Sequence, residues 1–501
     1  MKELSELLRH SRELRELLMQ DTARPSYHLL CFEDNGVPGD PNAAFYANGR
    51  VHLMFLYHCA SDGFRYGHLS SADLLHWRRH PDALIPDNLD AGIFSGGAFA
   101  DEDGTVYIAY WALKSENLEA ACNGIRIAFS RDAENDYTHW EKFSQEAVAA
   151  NENGVLNLTL ADGTEKHLAA ADPSNIWKKD GMYYFQAGNL TVLNRYGREN
   201  GTPEYRGDYT ELYRSADLRH WEPVHRFYER RADNRWTDES EDDMCPSFLP
   251  LPGRKDGGTA TDTWLQLFIS HNKGCQYYLG SYDRRTDVFL PRSHGRMSWV
   301  DNSFFAPEAL ILPDGRQVMW AWIQERRENE DGRFGWSGVY SLPRTLWLAE
   351  DHTLGIAPIE ELKQLRGRSW KTPSEIRSNR CEMVAEFEAG TAAQVDVLVS
   401  EDGTEFVRIA FDAQKQVLTL DTSACGKEGT HRTESAPLVL RAGETLCLDI
   451  FVDASVVEVF ANDRQAICRR AFPSAKNHNR VRVSGVLTAF SAWEMDYTNP
   501  Y

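Results

Sequence analysis

The chain of 501 residues contains no uninterrupted apolar run approaching the roughly 20 residues that a membrane-spanning helix needs. An integral membrane protein built on helices is therefore not expected. Positive charge is scarce: 54 Lys and Arg stand against 75 Asp and Glu, a formal net charge of −21. So acidic a surface repels phosphate backbones, and neither nucleic acid nor membrane is an expected partner. Nine cysteines are scattered singly from Cys31 to Cys468. Without a CxxC pair, and with an odd count, they support neither a disulfide framework nor a zinc site, and a reduced, cytoplasmic setting is the simplest reading. No set of His, Cys and carboxylates has metal-ligand spacing and no glycine-rich phosphate loop is evident, so no metal and no cofactor are expected. Met1 to Gln20 lacks the unbroken apolar core of a secretory signal. Leu4, Leu7, Leu8, Leu14, Leu17 and Leu18 recur at helical spacing instead, which predicts an amphipathic helix over 1–24 packed on the body.

What is abundant is aromatic and alternating sequence. The chain carries 14 Trp, 20 Tyr and 23 Phe, and after residue 27 runs such as Val51–Tyr57, Val106–Trp111 and Trp264–Ile269 alternate with Asn-Gly and Asp-Gly turn signals. Short strands between tight turns predict an all-β protein. Ser71-Ala72-Asp73-Leu74-Leu75-His76-Trp77 returns as Ser215-Ala216-Asp217-Leu218-Arg219-His220-Trp221, with a looser copy from Ser130 to Trp140. A recurring unit of this kind points to a radial repeat, a β-propeller. Beyond about residue 366, regularly spaced alternating segments such as Val395–Val399, Val407–Phe411 and Leu446–Val452 read as a β-sandwich.

Three acidic sites sit where a propeller would gather inner strands: Asp40-Pro41-Asn42, Asp172-Pro173-Ser174-Asn175, and Glu241-Asp242-Asp243-Met244-Cys245-Pro246. Proline close behind an acid fixes the backbone and suits the first residues of a strand. An Asp-Pro pair taken alone is a turn starter; three, one per repeat, form a candidate constellation.

The ordered set of segments resembles glycoside hydrolase family 32, the invertase, fructanase and β-fructofuranosidase group. Gly39-Asp40-Pro41-Asn42-Ala43 is similar to the family's Asn-Asp-Pro-Asn-Gly, Phe94-Ser95-Gly96 to its Trp-Ser-Gly, Ala171-Asp172-Pro173 to its Arg-Asp-Pro, and Met244-Cys245-Pro246 to its Glu-Cys-Pro. Phe304–Glu308, Trp336–Gly338 and Phe451–Phe460 also look like family segments. The resemblance implies a five-bladed β-propeller over 25–357, a linker helix over 358–368 and a β-sandwich over 369–501. It implies a retaining β-fructofuranosidase in which Asp40 is the nucleophile and Asp172 the transition-state stabiliser, acting on small fructose-containing oligosaccharides. Asn42, Phe94, Ser95, Trp322 and Trp336 are the expected sugar-binding side chains, with Trp177 a further aromatic candidate.

The third role departs from the family. Met244 occupies the acid/base position and cannot transfer a proton. Either the acid has moved to Glu241, which has the longer arm and is preferred by a small margin, or to Asp242, which in an extended strand shares the face of Met244; or the chain binds sugar without cleaving it. Val37, Gly39, Leu56 and Ala171 replace family residues that orient the sugar or a carboxylate. A furanosidase of a related arabinan- or xylan-directed propeller family is the rival among enzymes. The polar segment His271–Cys275 follows a strong apolar strand and is placed to reach the site, whereas His68, His76 and His220 read as structural. A homo-oligomer is compatible with the sequence.

Overall fold

The computed structural model describes residues 2–30, 37–59, 63–113, 122–150, 154–190, 207–327 and 334–499. After an N-terminal helix, Lys2–Gln20, the described residues form five larger antiparallel sheets, with a two-stranded ribbon of Val155–Thr159 and Glu165–Ala169 between the second and third, and then two more that face each other. The first five sheets open with the strands Val37–Ala47, Gly92–Ala100, Ala171–Pro173, Met244–Pro252 and Phe304–Ile311. Each of these pairs antiparallel with the strand that follows it in its own sheet. The C-terminal region is a β-sandwich of a six-stranded and a five-stranded sheet around its own apolar core, which includes Met383, Val397, Ile409 and Ile450. Between the two regions runs a short 3₁₀ segment, Glu360–Leu365, anchored by buried Leu362 and Leu365.

The opening strands of the five sheets share one irregularity. Their ladders break between Asn42 and Phe45, Ile93 and Gly96, Ala171 and Pro173, Met244 and Ser247, and Phe305 and Glu308. Ala43, Asp172, Cys245 and Ala306 inside these breaks take positive φ of 46°, 40°, 49° and 46°. A bulge re-aims the side chains it contains, and here it turns Ser95, Asp172 and Cys245 out of their ladders.

Consecutive sheets are tied at this level. Gly96 N–H donates to Asn42 Oδ1 at 3.2 Å, joining the second sheet to the first. Asn175 donates to Phe248 O and accepts from Phe248 N–H at 3.0 and 2.7 Å, so one side chain imitates a strand partner between the third and fourth. Asn302 Nδ2 donates to His271 O at 2.6 Å, linking fifth to fourth. Tyr340 Oη donates to Gly39 O at 2.9 Å and Ala44 N–H to Glu308 Oε1 at 2.6 Å, linking fifth to first. Second and third meet so closely that a Cβ on Gly97 would lie 2.2 Å from Asn175 N.

The repeated phrase is a turn. In both full copies the Asp accepts two backbone N–H groups and the ring nitrogen of the following His, and Leu74 and Leu218 take φ of 66° and 64°. The Trp indoles close the turns on Leu74 O and Leu218 O, and Trp140 does the same on Tyr137 O. All three join neighbouring antiparallel strands of their sheets, Gly63–Ser71 to Arg78–Leu84, Cys122–Ser130 to Glu141–Lys142 and Tyr209–Ser215 to Trp221–Glu229.

The N-terminal helix departs from expectation. Leu18 is buried and, with Leu14 and Leu17, lies against Gly335, but Leu4, Leu7 and Leu8 are exposed. Only the C-terminal half of the apolar stripe is covered among the described residues. Among the described residues, no helix is long and apolar enough to cross a membrane. The six cysteines with described side chains are free thiols, and those of Cys31, Cys59 and Cys122 lie outside the description.

Candidate active site

Asp40 and Asp172, 132 positions apart in sequence, meet around one thiol. Cys245 Sγ lies 3.5 Å from Asp40 Oδ2 and 3.4 Å from Asp172 Oδ2, and Cys245 N–H donates to the same Asp172 oxygen at 3.2 Å. Both carboxylates are buried. Ser95 Oγ donates to Asp40 Oδ2 at 2.5 Å, while Asp172 Oδ1 has no hydrogen-bond partner among the described residues. Burial pushes Asp172 up to about 7, helped by the charge of Asp40. Asp40 is raised as well, by burial, against the opposing pull of the Ser95 hydroxyl, His271 and Cys245. Burial and the two neighbouring acids push the Cys245 thiol well above its ordinary range, so it stays a neutral donor.

The acidic run before Met244 divides its side chains. Glu241 is wholly buried and bound on all sides: Lys273 Nζ at 2.5 Å, Gln276 Nε2 at 2.9 Å and the Ser270 hydroxyl. Asp242 Oδ2 instead accepts from His271 N–H at 3.3 Å and pairs with His271 Nδ1 at 3.0 Å. Asp243 is buried without a partner among the described residues, and its burial, with Asp208, Glu241 and Asp242 nearby, keeps it in the protonated range. Met244 points into the apolar core.

His271, in the polar segment that the sequence placed within reach of the site, is drawn toward its charged form there. Burial disfavours its charge, but Asp242, Asp172 and Asp40 together outweigh that and raise it. Its ring meets Phe305 edge-on at 5.5 Å, and Phe305 meets Trp322 at 6.2 Å, so Trp322 lies one ring beyond the histidine.

The other expected sugar contacts resolve unequally. Asn42 is buried and uses both ends of its amide on backbone, donating to Asp40 O at 2.9 Å and accepting from Gly96, so it shapes the backbone around Asp40. Phe94 packs edge-on against Phe64 and Trp111 beside Ser95. Trp177 stacks on Tyr184 and packs against Phe227 and Phe248 in the apolar cluster between the third and fourth sheets. Trp336 corrects its expectation: it is buried, gives its indole N–H to Asp21 at 2.8 Å and lies between Arg327 and Arg470, so neither ring face is open to a sugar. No group of three or more metal-ligating side chains occurs among the described residues.

Two buried acids from different sheets, a shared neutral donor and an adjacent acid–imidazole pair are the equipment of a carboxylate-dependent glycosidase, mounted on an all-β scaffold. Comparison with known proteins gives the family. The model for the glycosyl hydrolases family 32 N-terminal domain matches residues 34–358, and that for the C-terminal region matches 359–494. The chain belongs to glycosyl hydrolase family 32. It is 28% identical over 478 residues to a raffinose invertase of Escherichia coli, covering 91% of this chain and 90% of that one. It is 27% identical over 489 residues to a levanase of Bacillus subtilis (strain 168), covering 89% of this chain and 65% of that one. Among solved structures, fructan 1-exohydrolase IIa from Cichorium intybus superposes with a TM-score of 0.77 at 18% identity, covering 95% of this chain and 98% of that one. Sucrose-6-phosphate hydrolase from Lactobacillus gasseri gives 0.77 at 21% identity, covering 97% and 96%.

Proposed function

We propose that the five N-terminal sheets are the blades of a five-bladed β-propeller, and that the acids on their opening strands form a retaining β-fructofuranosidase site. The enzyme is a glycosidase of O-glycosyl bonds that cleaves β-fructofuranosyl linkages, and its substrates are small fructose-containing oligosaccharides of the sucrose and kestose kind. The observation that carries this reading is Cys245 Sγ within hydrogen-bonding distance of both Asp40 and Asp172. It joins the first and third sheets at one point, so that the nucleophile and the stabiliser of this reading adjoin each other.

Asp40 is the nucleophile: it is fixed by Ser95 and by the backbone ties of Asn42 and Tyr340. Asp172 is the stabiliser. Its partnerless Oδ1 is the acceptor for a sugar hydroxyl, and its charge, once formed, opposes the positive charge that develops on the furanosyl ring. Of the two acids considered for proton transfer, Glu241 is neutralised by Lys273, whereas Asp242 is joined through His271 to the site. Proton transfer therefore belongs to the Asp242 side. Phe94 and Trp322 supply apolar faces. The match of both family domains disfavours an arabinan- or xylan-directed enzyme. The free thiols fit a cytoplasmic setting and imported substrates.

The test is turnover of sucrose and 1-kestose with product stereochemistry followed by proton NMR. Retention, abolished in Asp40→Asn, is the expected result. Initial release of the inverted anomer, or saturable binding without turnover, rejects the scheme.

A further inference from the structure

Resting on that reading, we propose that His271 donates and recovers the proton in place of the glutamate absent at Met244, with Asp242 as its positioning residue. The position is built for this. His271 sits at the tip of the hairpin between Ala260–Ser270 and Gly274–Asp283, in the same sheet as Met244. Its backbone is fixed at both ends of the residue: the N–H donates to Asp242 at 3.3 Å and the carbonyl accepts from Asn302 at 2.6 Å. Asn302 is in turn held by Arg326. Asp242 takes Nδ1, and Nε2 has no partner among the described residues; with 36% of the side chain exposed, that nitrogen is the ring's one available donor. A carboxylate on one imidazole nitrogen orients the ring and stabilises its cation, leaving the other nitrogen to exchange protons.

The steps balance. Asp40 attacks the anomeric C2 of the fructosyl unit and forms an ester bond as the bond from C2 to the leaving oxygen breaks. The electron pair of that bond goes to the leaving oxygen, which takes the Nε2 proton, and His271 becomes neutral. Water then gives a proton to Nε2 as its oxygen bonds C2. The ester C2–O pair returns to Asp40 as carboxylate, imidazolium is restored, and the configuration at C2 is retained.

The groups facing His271 are Asp242 on the preceding loop and Asp40 and Asp172 on the first and third sheets. Beside it on the turn is Lys273, paired with Glu241. Ionisation of Asp172 is required for activity and so governs the acidic limb of the pH profile. Deprotonation of His271 ends activity and so governs the basic limb.

The experiment compares wild type, His271→Gln, Asp242→Asn and Asp40→Asn on sucrose and on p-nitrophenyl β-fructofuranoside, whose leaving group hardly needs a proton. His271→Gln is expected to lose roughly 10²- to 10⁴-fold in kcat/KM on sucrose, far less on the aryl fructoside, and to lose the basic limb. Asp242→Asn is expected to keep that limb and move it to lower pH, which serves as the readout should His271→Gln fail to fold. His271→Gln turning over sucrose within about threefold of wild type, with the basic limb in place, overturns the proposal. So does an Asp242→Asn basic limb that stays where the wild type has it. If Asp40→Asn is dead while His271→Gln is unaffected, this inference alone fails. A wild type inactive on every fructofuranoside overturns the family-based reading and this inference together.

Discussion

At the residue scale, Asp172 is held in an unfavourable state for the sake of its chemistry. Its folded pKa, about 7, lies above its ordinary value of 3.8. Native protein therefore binds more protons than unfolded protein between those values, and stability falls as pH rises through that window. Asp172→Asn removes the charge that must be buried. We expect it to be more stable than wild type at pH 8 by on the order of a few kcal/mol, with little difference at pH 4, and to lose turnover. Melting curves at the two pH values check this; an equal effect at both contradicts it. Asp40→Asn is expected to lower kcat by several orders of magnitude on every fructofuranoside, aryl substrates included, because no leaving group replaces a nucleophile. Asp40 and Asp172 were legible because each is followed by proline in a family-like segment. The segment of His271 was legible as one that reaches the site, but its pairing with Asp242 was not, since the two are 29 positions apart and only strand pairing brings them together. Trp336 misled because an aromatic in a family-like segment looks the same in sequence whether its indole faces a sugar or a buried Asp21.

At the element scale, the Ser-Ala-Asp-Leu-x-His-Trp phrase was readable because its chemistry is local: an Asp, two N–H groups and an indole within seven residues. The breaks in the opening strands were not readable, because nothing in Ala43 or Ala306 announces a left-handed backbone; neighbouring sheets impose it. Nor could the helical spacing of Leu4, Leu7 and Leu8 reveal where the covering surface stops. The meeting of the second and third sheets gives a prediction. A methyl on Gly97 would collide with Asn175 N at 2.2 Å and Asn175 Cα at 2.5 Å, backbone atoms of a residue whose side chain is clasped to Phe248. Gly97→Ala is expected to cost about 1–3 kcal/mol and to lower activity by displacing Asp172. A urea midpoint unchanged from wild type would contradict that close approach.

At the scale of the whole molecule, the two regions are joined through charge buried where they meet. Glu458 of the sandwich accepts from Leu342 N–H at 2.7 Å, Arg344 Nη2 at 2.5 Å and His28 Nε2 at 3.1 Å. Asp453 holds the other His28 nitrogen at 2.9 Å and the backbone N–H groups of Ser26, Tyr27 and His28. Burial opposes charge on His28, but the two acids prevail and raise it above 6.5. The stabilisation is complete below that value and is lost as pH rises through the higher folded pKa. His28→Gln is expected to melt lower than wild type at pH 6, with the gap narrowing toward pH 9; a gap that widens would reverse the assignment. Glu458→Gln, which strips the partner from Arg344, is expected to cost about 3–5 kcal/mol. The opening strands of the five sheets share no hydrogen-bond ladder, and their functional groups are tied to one another through side chains instead. The proton donor proposed above stands outside those strands, on a hairpin tip, so descendants of a common ancestor can diverge in leaving-group preference there while every ladder stays intact.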